Sequence, residues 1–582
     1  MTGQVFFQKR RRVRWRFYPI AVSFFVSFSP LWAETASNPS SPAILDLRLE
    51  ECVQRVVDYN EAVQIRGLDV LASRKRWQAA RGVFEPELVG SAEHNINDRK
   101  NTAEEQSNLG GLSVYNQENN LYSSGLEMLV PTGARVRLGY TLRDLRNNRQ
   151  PYYGLDREYE SFAGLNLTQP LLKNGGYRVT MAAIRLAAGE SALAFQDYRR
   201  QMISILSRGE NGYWDLVFAQ EQDRIRGDSV KVAETLLADN RERVRAGKAS
   251  ELEVLQAEAG AAFRRARQKE AAQKLAETMN RLTALFSGSS FLTTLRVRAI
   301  DAPTLRPVEA QFYASMLEAF ESNPDYLSQR RQVMQEDVRL VYARNQRWPQ
   351  LDLKASYGLN GLGSTPSRSW QDIEGGDFEA WSVGVEFRIP LGGGIKGRNE
   401  LAAAQLRKKA ALLGLKSIEV DLASAMDLVI HRISSLRDMV ANYRTVVEYN
   451  ERLLATELAR LEAGKTDSRK VLEVEETLAE ARSAALESLI GYQKTLADWA
   501  MIKGSSLKAH NVELTQAQLE HKTAAALKGR DWTDVEFKAL RKETRAGLEQ
   551  NLAVSRPLSS ERSSSPIPSP PIGALDQQQG NR

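Results

Sequence analysis

One sixteen-residue pattern occurs twice, and it constrains the chain more than any other feature. Arg243–Glu258 reads RVRAGKASELEVLQAE and Arg460–Glu475 reads RLEAGKTDSRKVLEVE, aligned without a gap at an offset of 217 with seven identities. Each copy lies between two long stretches of helical polar–apolar periodicity. Its Ala-Gly-Lys can supply the left-handed residue that ends one helix, and Ser250 or Asp467 is placed to cap the next. Each copy therefore predicts the tip of a helical hairpin, and two matching tips predict two copies of one folding unit.

The duplication reaches beyond the tips. Leu47–Phe84 has apolar residues at helical spacing and stops at Pro86, and Asn323–Trp348 matches its second part at an offset of 263, with Asn60 on Asn323, Val70 on Val333, Ala80-Arg81 on Ala343-Arg344 and Pro86 on Pro349. After each proline the period changes from about 3.6 to 2. Leu351, Leu353, Ala355, Tyr357 and Leu359 alternate with polar residues or glycine, as do Trp381, Val383, Val385, Phe387 and Ile389. Strands of about ten residues with one apolar and one polar face are the pattern of transmembrane β-strands. The first half repeats the alternation at Leu126–Val130, Val136–Leu142 and Ala163–Leu167, with Pro131-Thr132-Gly133 as a turn. Asn95–Asn120 and Arg146–Glu160, polar and rich in Asn, Gly and Tyr, read as long outer loops.

Both strand regions end in glycine runs, Leu171–Gly176 and Leu391–Gly397. Neither carries a Gly-Lys-Ser/Thr ending, and although Gly392, Gly394 and Gly397 have the GxGxxG spacing, both runs sit at the same place in a repeat, so they read as strand-to-helix junctions rather than phosphate loops. From each junction to each tip the helical pattern runs over Tyr177–Arg245 and Lys396–Glu462, each reaching roughly 100 Å if continuous. Val447, Leu454 and Leu461 supply part of a coiled-coil seam. The returning helices, about Glu251–Phe286 and Ser468–Lys503, are half as long, and the helices before the strands are expected to stack on their ends.

Charge and cysteine usage narrow the function. The net charge is +7, but Lys9, Arg10, Arg11, Arg12, Arg14 and Arg16 supply six units of it and residues 1–33 contain no acid, leaving about +1 for the rest. That removes most of the electrostatic case for a nucleic-acid partner. Those cations precede an apolar run, Phe17–Trp32, and Ala33, which together predict a secretory leader over 1–33. No later run approaches the ~20 apolar residues of a spanning helix. Cys52 is alone, so no disulfide framework is expected. His94, His431, His510 and His521 are scattered without ligand spacing, and no nucleophile elbow, Walker or zincin motif occurs. The expectation is no enzyme, no metal and no cofactor.

A duplicated unit of helix, strand region, very long helix, tip and return helix resembles the outer-membrane efflux protein (TolC) family over about residues 45–505. The most specific points are the asparagine-led helices that close on Ala-Arg and then proline, Gly-Leu-x-Leu-x-x-Pro-Leu at Gly164–Leu171 with its partner Gly384–Leu391, and the Ala-Gly-Lys tips. The resemblance implies an α+β membrane protein with an internal two-fold repeat. Three chains close one outer-membrane β-barrel, continuous with a long periplasmic α-helical coiled-coil barrel. It implies a passive duct for small molecules or proteins that docks on a periplasmic adaptor and an inner-membrane RND pump or ABC exporter. The rival reading is a periplasmic coiled-coil scaffold without channel activity.

On this reading 1–33 is the leader, 34–86 an N-terminal periplasmic helix, 87–176 the first barrel segment and 177–300 the first long hairpin. Residues 301–348 are the link and periplasmic helix, 349–395 the second barrel segment, 396–505 the second hairpin, and 506–582 a periplasmic tail, disordered from about 554. The family pattern has four strands per chain, whereas six segments here are strand-like, the stretch after Pro86 included. The Leu126–Leu142 hairpin either enlarges the barrel or stands outside it, and an extracellular extension is expected. The family's entrance-narrowing acidic positions fall on Lys470 and Glu473, and its latching acidic position falls on Glu253. Three Glu253 and three Lys470 are expected near the entrance, and Ala246, Gly247, Lys248, Ala463, Gly464 and Lys465 are expected to touch the adaptor.

Overall fold

A computed structural model of the protein describes residues 44–108, 110–247, 250–286, 296–512 and 518–519. The expected leader, Lys248 of the first tip and the tail beyond 519 lie outside the described residues. The described residues begin with β1 (Ile44–Leu47), α1 (Leu49–Tyr59) and α2 (Glu61–Arg81), followed by β2 (Glu87–Lys100), α3 (Ala103–Asn108), β3 (Val114–Leu129), β4 (Arg135–Asn147) and β5 (Glu158–Pro170). A turn of helix, α4 (Tyr177–Thr180), leads into α5 (Ala182–Arg245), which returns as α6 (Glu251–Thr283). Then come β6 (Arg296–Ala299), α7 (Phe312–Ser322), α8 (Pro324–Gln346), β7 (Gln350–Gly363), α9 (Pro366–Gly375), β8 (Glu379–Arg388), α10 (Ile395–Glu462), α11 (Ser468–Lys503) and α12 (Ser506–Ala509).

Both hairpin tips close by the same chemistry. Gly247 (φ +70°) and Gly464 (φ +67°) adopt the left-handed backbone that costs glycine least. The Gly464 and Lys465 N–H groups donate back to Leu461 O and Arg460 O, so the last carbonyls of α10 are satisfied. Asp467 caps α11 by accepting from Lys470 N (2.9 Å). Ser250 differs from expectation, because its side chain makes no capping bond and Glu253 N–H donates to its backbone oxygen instead.

The helices before the strands are each broken once. Asn60 ends α1 and caps α2, accepting from Ala62 N and Val63 N, while its amide donates to Leu285 O at the end of the first return helix (3.1 Å). Asn323 does the same for α7 and α8, accepting from Asp325 N and Tyr326 N and donating to Ile502 O (2.9 Å). Leu285 and Ile502 are themselves 217 residues apart. Thus α2 and α8 begin where α6 and α11 stop, and one side chain secures each junction. The sequence reads each run as continuous because apolar spacing passes straight through the break. Asn60→Ala and Asn323→Ala are each expected to cost about 1–2 kcal/mol. Heating should then remove the helical circular dichroism earlier; unchanged curves for both would contradict the capping role.

The largest apolar core lies where α1, α2, α5, α6, α11 and α12 meet, around Leu47, Val56, Met202, Leu206, Tyr213, Leu216 and Leu282. A second cluster near the tips joins Ala233, Leu236 and Leu237 of α5, Ala257 and Ala261 of α6, Leu461 of α10, and Val471 and Leu472 of α11. Within the expected seam, Leu461 is buried and Leu454 packs against this cluster. A two-stranded parallel sheet, β1 with β6, escapes sequence reading because each strand is four residues long.

The remaining strands form one antiparallel sheet in the order β2-β3-β4-β5-β7-β8. Two expectations change. The polar stretch Asn95–Asn120 is not a single loop: β2 runs to Lys100 and β3 starts at Val114, paired in register from Glu87↔Glu127 to Lys100↔Val114. Likewise, Arg146 and Asn147 belong to β4 and Glu158–Glu160 to β5. The Leu126–Leu142 hairpin also does not stand apart from the other strands. β3 and β4 lie inside the sheet between β2 and β5, and their turn is on the helix side, where Gly176 N–H donates to Thr132 O (2.9 Å). Alternation reveals a strand, but only register reveals which end its turn occupies.

Candidate functional site

The antiparallel register places one residue of each strand on every rung. On one face, Leu88, Leu126, Leu138, Leu165, Tyr357 and Trp381 stand side by side across all six strands. They cover no core of this chain: Leu88 is 79% and Trp381 73% exposed. Met128, Val383, Val385 and Phe387 extend the same face and are exposed as well. The rung one residue nearer the helices belongs to the other face and reads Glu87, Glu127, Arg137, Asn166, Ser356 and Ser382. Lys354 pairs with Glu386 on that polar side. One face thus suits hydrocarbon and the other water. At the far end α9, which the sequence does not announce, folds onto the apolar face. There Ser369 bonds Ser161, and Trp370 meets Tyr140 edge-on at 5.2 Å.

The glycine runs at the helix end join strands to helices. In the first run the N–H groups are already used: Leu171 N bonds Leu351 O, Asn174 N bonds the Asn345 side chain (2.7 Å), and Gly176 N bonds Thr132 O. Gly397 lets α10 approach the α8 backbone, since a Cβ there would sit 3.0 Å from Arg347 Cα and Gln346 O. Among the described residues no group of His, Cys, Asp and Glu is arranged to hold a metal ion, and no helix is long and apolar enough to cross a membrane.

At the opposite end of the helices, the two tips are fastened to each other. Arg243 donates to Leu461 O (2.9 Å), and Ser468 donates to the fully buried Asn240 (2.8 Å), whose amide reaches Glu253 O. Lys470 is exposed and pairs with Glu473 one turn along its own helix (3.1 Å). Glu253 is half-buried on α6. Within one chain, then, Lys470 is partnered by Glu473. The site that sequence reasoning missed lies about three turns from Gly464. Arg264 and Glu475 are buried, 7% and 6% exposed, and bonded at 2.9 Å; Arg264 also donates to Leu472 O, Ser229 bonds the same carboxylate, and Glu476 pairs with Arg226. The available signal was spacing, because Arg264 follows Ala257 and Ala261 at i+7 and i+3 on a core stripe.

Long helical hairpins rooted on an antiparallel sheet with an outward apolar face define a class of outer-membrane protein. The family model described as outer membrane efflux protein matches residues 135–288 and 317–498. The chain belongs to the outer membrane efflux protein family. No curated protein matches it. Among solved structures it is similar to the Campylobacter jejuni CmeC outer membrane channel (TM-score 0.58, 16% identity, 82% of this chain and 89% of that one). It is also similar to the outer membrane protein VceC of Vibrio cholerae (0.55, 15%, 78% and 96%) and to the open state of the Neisseria gonorrhoeae MtrE outer membrane channel (0.53, 16%, 80% and 91%). At these identities the likeness is one of fold.

Proposed function

We propose that the protein is the outer-membrane duct of a tripartite efflux or type I secretion assembly. Three chains close one barrel from residues 87–176 and 349–395, and their hairpins, 177–300 and 396–505, form a periplasmic tunnel. The observation that carries this is the sheet: an exposed apolar face, a polar face, and an outer edge on β2 and on β8 with no neighbour in the sheet. Open edges have no hydrogen-bond partners in hydrocarbon, so lipid demands closure, and up-and-down order makes the β8 edge antiparallel to β2 of the next copy. A second support lies on α10. Leu406, Leu413 and Val420, then Met439, Val446 and Leu453, form exposed apolar stripes at seven-residue spacing, as a helix packed against another chain requires. The matched roles of Asn60 with Leu285 and Asn323 with Ile502 support an internal two-fold repeat.

The duct is passive, and energy comes from an RND pump or ABC exporter reached through a periplasmic adaptor. Ala246, Gly247, Lys248, Ala463, Gly464 and Lys465 contact the adaptor, and Glu253, Lys470 and Glu473 line the entrance. The protein extracted from outer membranes in mild detergent is expected to have three times the chain mass by native mass spectrometry; a monomer would overturn the reading. Lys470→Glu turns each chain's paired Lys470–Glu473 into two like charges at the entrance. That adds about 1 kcal/mol of favourable potential for cations, or roughly fivefold in cation over anion permeability. Reversal potentials in a salt gradient measure it, and no shift would remove Lys470 from the entrance.

A further inference from the structure

From the sheet register we infer that the Leu126–Leu142 hairpin enlarges the barrel, so that each chain supplies six lipid-crossing strands and the trimer eighteen. The inference rests on the closed trimer proposed above and fixes the bore of that same duct. Three observations carry it. First, the six strands are 10 to 16 residues long, and a crossing strand needs about 9–11. Second, β3 and β4 are in step with the other four. The apolar rung Leu88–Leu126–Leu138–Leu165–Tyr357–Trp381 and the polar rung Glu87–Glu127–Arg137–Asn166–Ser356–Ser382 both run through the hairpin without changing face. A hairpin standing in water has no reason to keep Leu126 and Leu138, 48% and 58% exposed, level with the apolar residues of its neighbours.

Third, the hairpin turn is built into the strand-to-helix junction. Thr132 accepts from Gly176 N, its hydroxyl bonds Gln169 (3.0 Å), and Gly133 (φ +93°) passes so close that a Cβ would lie 2.7 Å from Asn174 O. The strands therefore start at the level of the helices, where barrel strands start, not at the far end.

Barrel diameter grows roughly linearly with strand number, so eighteen strands give a bore about one and a half times that of twelve. The next polar-face rung, Val89–Gly125–Gly139–Gly164–Gly358–Ala380, carries no side chain larger than valine, and the Phe162 ring lies over it, since a Cβ on Gly164 or Gly358 would sit 2.6 or 2.5 Å from Phe162 Cζ.

Electron cryomicroscopy of the full-length protein in nanodiscs tests this by counting strands around the ring. Eighteen in a trimer supports the inference. Twelve in a trimer, with residues 114–147 outside the ring, overturns it and leaves the duct intact, whereas absence of any ring overturns the duct reading and this inference together. Labelling of intact cells with a membrane-impermeant maleimide gives a second readout. Native Cys52 is fully buried and burial pushes its thiol up to about 12, so it stays silent. Leu126→Cys and Leu138→Cys are expected to lose labelling that Ser123→Cys and Thr141→Cys retain. Equal labelling of all four would place the hairpin in water and overturn the inference.

Discussion

Replacing Arg264 by alanine is expected to cost about 3–5 kcal/mol, the range for removing one partner of a buried ion pair. Glu475 would keep only the Ser229 hydroxyl, and the Leu472 carbonyl would lose its side-chain donor, all at a position 7% exposed or less. The loss comes from the orphaned carboxylate rather than from the absent attraction, and this distinguishes the prediction from a generic surface effect. Arg264→Met with Glu475→Leu removes both charges and fills similar volume, and should recover most of the stability. The measurement is the temperature at which the detergent-solubilised protein loses its helical signal. A single variant as stable as the double variant would show that the pair is not desolvated. The pair also joins α6 of the first hairpin to α11 of the second, so any movement that parts these helices near the tips must break it.

Tyr213→Ala is expected to cost a similar amount, about 3–5 kcal/mol, because Tyr213 is fully buried and truncating an aromatic there leaves a cavity. Its hydroxyl is also a junction. It donates to Asp301 (2.8 Å) and lies 3.1 Å from Leu47 O, and Asp301 N–H donates to it, while the same carboxylate accepts from Leu49 N (2.7 Å) at the start of α1. One phenol therefore ties α5 to β1, to the segment after β6 and to the first turn of α1. Burial raises the Tyr213 hydroxyl well above the ordinary tyrosine range, so it remains a donor in alkaline solution. Tyr213→Phe keeps the ring and gives up only the hydrogen bonds, at about 0.5–1.5 kcal/mol. If the phenylalanine variant fell as far as the alanine variant, the polar junction rather than the packed ring would dominate.

The parts of the fold legible in the sequence are those where one physical demand repeats along the chain. Leu351–Leu359 and Trp381–Phe387 read as strands because one face meets an apolar medium and the other water, and α10 reads as a helix across 68 residues because its apolar spacing does not lapse. The far ends of β2 and β3 are silent for the opposite reason. Beyond the apolar band both faces are polar, and side chains there bond one another, as in His94 with Asn120 (2.8 Å) and Asn120 with Asp144 (3.1 Å). Backbone pairing alone makes them strands, and pairing leaves no periodicity. The tips were legible from Gly247 and Gly464, but the buried Arg264–Glu475 pair was not. Glu475 aligns with Glu258, which is half-buried and paired with Arg241 at the surface, so the same position does different work in the two hairpins. The hairpin's place in the sheet was hidden because alternation is identical for a strand inside a sheet and one beyond it.

The most direct test of the duct is single-channel recording of the purified, full-length protein in a planar lipid bilayer. The proposed trimer predicts stable insertion and discrete, weakly ion-selective conductance steps whose selectivity changes with Lys470→Glu. Protein that stays monomeric and never conducts would contradict it.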